Sequence, residues 1–113
     1  MAKALTLAPL LTTALVNISH YVGEDCLLTA TFAAVTSLSG WTTIKLRIRE
    51  RFNGAAVSTL TKTATITDAV NGVFTFTIAA ADTTAPALYE YEIQREDSGN
   101  NHVLARGDWQ VLP

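Results

Sequence analysis

The residue types that most often carry chemistry are few in this sequence and lie far apart. His20 and His102 lack the spacing, to each other or to Cys26, that a metal site needs. Asp97 and Asp108 have no neighbour along the chain that would complete a pair of nucleophile and base. No glycine-rich segment has the pattern of a phosphate-binding loop. We therefore expect no enzymatic activity, no metal site and no cofactor.

The overall charge and the cysteine usage limit the possible partners. The chain has 8 Lys and Arg against 10 Asp and Glu, so neither nucleic acid nor an anionic membrane is an expected partner. Charged residues make up 16% of the chain, below the roughly 25% of ordinary soluble domains, which indicates surface buried in an assembly. The single cysteine, Cys26, lies beside Leu27 and Leu28 and is expected to be a buried structural thiol.

Two stretches of alternating charge predict neighbouring strands of one sheet. In residues 41–51, Ile44, Leu46 and Ile48 alternate with basic residues, and in residues 88–96 apolar residues alternate with acidic ones. Opposite charges that face each other across strands contribute roughly 0.2–1 kcal/mol per pair. The basic stripe could instead bind a polyanion, but the acidic residues would repel phosphate. We predict a structural charge ladder formed by Lys45, Arg47, Arg49, Arg51, Glu90, Glu92 and Glu96.

The tripeptide Arg106-Gly107-Asp108 matches an integrin-binding motif. Binding motifs of this kind act from exposed loops, whereas these residues lie within a predicted strand, just before the predicted core residue Trp109. Adhesion through this tripeptide is therefore disfavoured.

Short alternating segments separated by turn signals predict an all-β protein. Asn53-Gly54 and Asn71-Gly72 are typical of turns, and Pro86 limits the helix-favouring stretch near residues 80–85 to a single turn. We predict an immunoglobulin-like antiparallel β-sandwich of about seven strands over residues 15–113, with a small closed barrel as the alternative. One sheet is expected to contain residues 42–51, 88–96 and 102–112, and the other residues 15–21, 26–33, 57–67 and 73–78.

Residues 1–14 form a predicted apolar arm outside the sandwich. Interrupting threonines and a proline make it unlike a secretory signal, and it is too short to span a bilayer, which takes about 20 apolar residues. The arm packs either on a neighbouring subunit or as an extra strand on its own domain. An uncharged face of alternating threonines is the second predicted contact surface, because an exposed sheet without charge needs a cover. The predicted interface residues are Leu5, Leu7, Leu10, Leu11, Thr61, Thr63, Thr65, Thr75 and Thr77.

Several segments resemble the immunoglobulin-like domains of tailed-phage structural proteins. They are Val22-Gly23-Glu24-Asp25, Leu38-Ser39-Gly40-Trp41 with the strand after it, Thr67-Asp68-Ala69 to Gly72-Val73-Phe74, and Ala80-Ala81-Asp82-Thr83 ahead of Tyr89-Glu90-Tyr91-Glu92-Ile93. Over residues 15–112 the chain is similar to the N-terminal domain of the phage baseplate upper protein. The resemblance implies a non-enzymatic virion component, assembled in the bacterial cytoplasm, whose partners are other virion proteins and copies of itself.

A second hypothesis is a free binding module that holds carbohydrate or a cell surface. Its binding loops would be residues 34–40, 52–56 and 97–101. Exposed aromatic side chains at these loops would favour this function, and Trp41 and Phe52 are the nearby candidates. Both are predicted instead to cap the core.

Overall fold

The structure consists almost entirely of β-strands, as predicted. The computed structural model describes residues 2–7, 13–32, 37–50, 58–82, 86–97 and 99–113. The strands are β1 (Ala2–Leu7), β2 (Ala14–Leu15), β3 (Ile18–Tyr21), β4 (Cys26–Phe32), β5 (Ile44–Glu50), β6 (Ser58–Thr63), β7 (Thr65–Asp68), β8 (Val73–Ile78), β9 (Ala87–Asp97) and β10 (Asn100–Leu112).

The strands form two sheets that pack as a sandwich. Sheet 1 has the order β1-β4-β8-β7, and sheet 2 has the order β2-β10-β9-β5-β6, with β3 also paired to β10. This order resembles that of immunoglobulin domains, with one further strand, β6, at the edge of the sheet that contains β9 and β10. Both sheets are mixed, since β1 runs parallel to β4, and β2 and β3 run parallel to β10. The predicted sandwich is therefore confirmed, with these parallel pairs added.

Two of the predicted strands lie in unexpected sheets. The segment 15–21 was expected beside residues 26–33, but β2 and β3 pair with β10 in sheet 2. The segment 57–67 is divided between the sheets, because β6 pairs with β5 and β7 pairs with β8. At the crossing point the Ala64 N–H donates a 2.8 Å hydrogen bond to the Ile44 carbonyl.

The core lies between the sheets and is built from the inward side of each strand. Sheet 1 contributes Leu28, Phe74 and Phe76, and sheet 2 contributes Trp109 and the predicted inward residues of β5. Phe74 and Phe76 pack edge to face with ring centroids 5.7 Å apart. Full burial of one large apolar side chain stabilises a fold by roughly 1.5–3 kcal/mol. Cys26 is buried in this core, as predicted, and its burial raises the pKa of the thiol.

The start of the predicted arm is a strand of this domain. Six residues of β1 pair in register with β4. Leu5 and Leu7 are 2% and 0% exposed and belong to the core. Their prediction as interface residues needs correction, because side chains buried in their own domain cannot contact another subunit. Leu10 and Leu11 lie outside the described residues.

A short 3₁₀ helix at Ala80–Asp82 supplies the predicted helical turn before Pro86. Two aspartates hold it: Asp82 accepts a hydrogen bond from the Ala79 N–H, and Asp25 accepts one from the Ala80 N–H. Lys62 reaches Asp82 from β6 at 2.8 Å, and this hydrogen-bonded lysine lowers the pKa of the Asp82 carboxyl. The helical turn is thereby tied to both sheets.

Candidate interaction surfaces

The outer face of sheet 2 carries the charged residues of β5 and β9. Arg47 forms an ion pair with Glu96, and Arg49 lies 3.9 Å from Glu92. The hydrogen bond from Arg47 lowers the pKa of Glu96. These four side chains retain 20–26% of their exposure, so each pair is only partly shielded from water. Arg51 lies outside the described residues.

The other charges of this face follow the strand register. Lys45 lies opposite Gln94, and Arg49 lies opposite Glu90. On the far side of β9, Arg106 lies opposite Glu92, and Asp108 lies opposite Glu90. The side chains predicted for the ladder that the structure describes therefore occupy one surface, with a third strand of mixed charge beside them.

An open groove of about 520 Å³ crosses this charged face. The residues that line it include Tyr91 and Gly107, which are register partners. The others are Leu15, Asn17, Arg49, Glu90, Glu92, Arg106 and Asp108. The groove combines charged side chains of both signs with the apolar side chain of Leu15.

Gly107 is explained by packing. A Cβ atom at this position would lie 2.0 Å from the backbone oxygen of Val16, where the chain passes from β2 to β3. The same oxygen accepts a 2.6 Å hydrogen bond from the Tyr91 hydroxyl, and the Asn17 side chain accepts one from the Asp108 N–H. Burial raises the pKa of Tyr91, so this hydroxyl keeps its proton. The Arg106-Gly107-Asp108 tripeptide lies mid-strand, and its glycine makes room for the neighbouring strand.

The outer face of sheet 1 is uncharged except at one end, where Asp68 lies opposite Val73. Thr75 lies between Thr29 and Thr65 in the strand register. On the opposite side of β4, Ala4 lies opposite Thr29, and Thr6 lies opposite Thr31. We call this surface the threonine face. Its outward residues are Ala4, Thr6, Leu27, Thr29, Thr31, Thr65, Thr67, Val73, Thr75 and Thr77.

Two predicted members of the threonine face lie elsewhere. Thr61 lies opposite Arg47, and Thr63 lies opposite Lys45, so both border the charged face of sheet 2. Their placement needs correction because the chain changes sheets at Ala64. Thr65, Thr75 and Thr77 lie on the threonine face.

An ionic cluster that the sequence analysis missed holds the start of β5. The carboxylate of Asp97 is 7% exposed and accepts hydrogen bonds from the Thr42 N–H, the Thr42 hydroxyl and the Thr43 N–H at 2.6–2.8 Å. The Arg95 side chain donates to its other oxygen at 2.5 Å and lies 4.2 Å from the centre of the Trp41 ring. Burial alone would raise the pKa of Asp97, but the hydrogen bonds outweigh burial and hold this pKa well below the usual range.

The same cluster bears on the carbohydrate-binding hypothesis. Trp41 is 9% exposed, packs edge to face on Phe32 and is covered by Arg95. It therefore offers no exposed stacking surface for a sugar. Phe52 lies outside the described residues.

A second buried polar pair lies inside the sandwich. The Trp109 indole N–H donates a 3.0 Å hydrogen bond to Nε2 of His20, which is 1% exposed. Burial lowers the pKa of His20, with smaller opposing contributions from the backbone of Tyr21 and from Glu24. This hydrogen bond joins β3 to β10, and the His20 side chain in it is neutral.

The described residues contain no group of three or more His, Cys, Asp or Glu side chains placed to hold a metal ion. Within the same parts of the chain, no helix has the length and hydropathy needed to span a membrane.

Comparison with known proteins found a solved structure with a similar fold. No protein family matches the sequence, and no curated protein matches it. The fold is similar to a solved structure described as the N-terminal domain of phage TP901-1 ORF48, with a TM-score of 0.57 and 10% sequence identity. The similarity covers 99% of this chain and 98% of that chain. The chain therefore shares the fold of that phage domain over nearly its whole length.

Proposed function

We propose that this protein is a non-enzymatic structural component of a phage virion. The observation that carries the proposal is its fold similarity to a phage protein domain, which extends over 99% of this chain. The partly exposed Thr29 and Thr75 at the middle of an uncharged sheet face support a role in assembly. Its site of action is the particle, and it assembles there from the bacterial cytoplasm.

The threonine face is the proposed contact between copies of the chain. Interface centres are depleted of charged residues, and the threonine face has none at its centre, around Thr29 and Thr75. A charged partner surface would lose hydration there without gaining an opposite charge. A second threonine face meets this requirement, because it is equally uncharged. Ala4 and Thr6 of β1 extend the face, so the N-terminal segment contributes to assembly through this strand.

Location and assembly are tested together in particles from the phage that encodes this sequence. Immunoelectron microscopy and quantitative mass spectrometry should find the wild-type chain in purified particles in many copies. Thr29→Lys, at the centre of the threonine face, should fold but fail to incorporate. Gln110→Lys places the same charge at an exposed position of sheet 2, opposite Leu88, and should incorporate normally. Absence of the wild-type chain from particles would contradict the proposal.

A further inference from the structure

The Asn71-Gly72 dipeptide lies in the turn between β7 and β8 and has a chemical reactivity of its own. The backbone nitrogen that follows an asparagine can attack the side-chain carbonyl carbon and close a cyclic imide. Glycine favours this attack, since it has no Cβ atom to obstruct the approach. The Asn71 side chain is exposed to water, which the second step of the reaction consumes. Asn71 is therefore a candidate site of spontaneous covalent modification.

The reaction needs no reagent besides water. The Gly72 nitrogen loses its proton and bonds to Cγ of Asn71, while the bond from Cγ to Nδ2 breaks. The departing amide group takes up the proton and leaves as ammonia. Water then adds to either carbonyl of the imide, and the ring opens to aspartate or isoaspartate. Each product carries a carboxylate where the chain had a neutral amide.

One carboxylate holds Asn71 through both its side chain and its backbone. Oδ2 of Asp68 accepts a 2.8 Å hydrogen bond from the side-chain amide of Asn71, and Oδ1 accepts a 3.2 Å hydrogen bond from its backbone N–H. These hydrogen bonds, that of the side chain first, lower the pKa of Asp68, so its carboxylate is ionised at neutral pH. Hydrogen bonds to an ionised acceptor are roughly twice as strong as neutral ones. The amide that would leave as ammonia is thus held in place.

The attacking nitrogen belongs to a backbone segment that is also held. Gly72 is buried and has φ of 71°, and its carbonyl accepts a 3.4 Å hydrogen bond from the Phe32 N–H of β4. Ring closure requires the nitrogen to come within about 3–3.5 Å of Asn71 Cγ in a suitable orientation. The ionised Asp68 nearby also opposes loss of the nitrogen's proton, because that loss creates a second negative charge. The fold therefore opposes a reaction that the dipeptide favours.

We propose that Asn71 is a site of spontaneous deamidation and that Asp68 restrains the reaction in the folded protein. The reaction proceeds when the turn opens and the side-chain amide leaves Asp68. The product places a second carboxylate beside Asp68, and repulsion between the two like charges then weakens the turn. The inference concerns the chemistry of the chain alone and does not depend on the proposed role in a virion.

Tryptic digestion followed by mass spectrometry measures the reaction. Cleavage after Lys62 and Arg95 leaves Asn71 as the only asparagine of peptide 63–95. The chain is incubated folded, and separately in guanidinium chloride, at the same mildly alkaline pH. Asn71 should deamidate about tenfold more slowly in the folded chain, since a hydrogen bond to a charged group must first break. Asn53-Gly54, which lies outside the described residues, falls on peptide 52–62 and supplies a sequence-matched rate in the denatured chain.

Asp68→Ser tests the restraint while keeping a turn-forming residue. Serine can still accept the Asn71 backbone N–H, but its single oxygen cannot hold the side-chain amide at the same time. Asn71 of the folded variant should deamidate about fivefold faster than in the folded wild type. Asp82→Ser is the matched control, because it removes a carboxylate that accepts the Ala79 N–H in a different turn. It should leave the rate at Asn71 unchanged.

Several results would overturn the proposal. Equal rates at Asn71 in the folded and the denatured wild type would show that the fold exerts no restraint. A wild-type rate in Asp68→Ser would exclude Asp68 as its source. Equal acceleration in Asp82→Ser would assign the effect to a general loss of stability. An Asn71 that stays intact in the denatured chain, while Asn53 reacts, would exclude the site. Circular dichroism and urea unfolding establish that both variants are folded before rates are compared.

Discussion

His20 is held in the neutral form by its surroundings. Its Nε2 accepts the Trp109 N–H at 3.0 Å, so a proton on Nε2 would set two donors against each other. Burial lowers the pKa of His20 below its ordinary value of 6.5, partly opposed by Glu24 and reinforced slightly by Lys3. The unfolded chain therefore binds a proton at a higher pH than the folded chain does.

Stability should fall as pH decreases through the ordinary histidine range. The contribution of His20 is fully present above pH 6.5 and is lost progressively below it, by at most about 2 kcal/mol at about pH 5. The carboxyl groups with lowered pKa lose their contributions mainly below their ordinary values, 4.5 for Glu96 and 3.8 for Asp97, so they add little to the change between pH 7.5 and pH 5. Urea unfolding at about pH 7.5 and pH 5 measures the difference.

Two histidine variants test whether His20 causes this pH dependence of stability. His20→Gln retains an acceptor for the Trp109 N–H and should show little change in the free energy of unfolding over this pH range. His102→Gln, in the half-exposed part of β10 and outside the His20–Trp109 pair, is the matched control for the loss of a histidine side chain. A wild-type pH dependence in His20→Gln would contradict the assignment to His20.

The buried polar side chains were the hardest to predict. Asp97 follows acidic and basic residues at the end of a strand and reads as part of a turn. Its role depends on Thr42 and Thr43, which lie more than fifty residues earlier and meet it only after β5 and β9 have paired. By contrast, the inward positions of Ile44, Leu46 and Ile48 were predictable, because alternation along one strand requires no knowledge of its neighbours.

At the level of strands, the alternation of apolar and polar residues predicted which side chains point inward, but not which strands pair with each other. Residues 57–67 alternate without interruption, although β6 and β7 lie in different sheets. The alternation continues because both sheets face the same core, so Leu60 and Ile66 point inward on either side of Ala64. The same limit applies to β2 and β3, whose parallel pairing with β10 leaves no mark on their own sequence.

Gly107→Ala should disrupt the parallel pairing of β2 and β3 with β10. The added methyl group would lie 2.0 Å from the Val16 oxygen, so the β2 to β3 connection or β10 must move. We expect a loss of about 3 kcal/mol in the free energy of unfolding, at the upper end of ordinary overpacking costs. Hydrogen exchange should accelerate at Ile18 and His20 ahead of the rest of sheet 2.

Gly99→Ala is the matched control for this substitution. Gly99 has φ of 78° and no atom within 4 Å of its Cβ position, so alanine there meets only backbone strain. Its expected cost is about 1–2 kcal/mol, without selective exchange at β3. Equal stability loss and equal exchange patterns in both variants would show that the contact with Val16 does not determine the glycine.

The outer faces of the two sheets differ in their chemical character. Sheet 1 offers hydroxyl and methyl groups, whereas sheet 2 offers ion pairs and a groove lined by charged side chains of both signs. A flat contact between copies can therefore form on one side while the other side remains available.

The size of the threonine face limits the strength of one such contact. Four strands about 4.8 Å apart and six residues of about 3.3 Å cover roughly 20 by 20 Å. That area is about 400 Å², half of the roughly 800 Å² that each partner contributes to a standard interface. The isolated chain should therefore be monomeric at micromolar concentration and self-associate only near millimolar concentration, with stable assembly requiring many contacts at once.

Sedimentation equilibrium over this concentration range, with amide shifts followed by NMR, measures the self-association. Shifts that depend on concentration should cluster around Thr29 and Thr75. Thr75→Lys should abolish them, because each contact would then bury two unpaired ammonium groups. Gln110→Lys, opposite Leu88 on sheet 2, should leave self-association unchanged. A tight dimer at micromolar concentration, or persistence of association in Thr75→Lys, would place the self-contact on a different and larger surface.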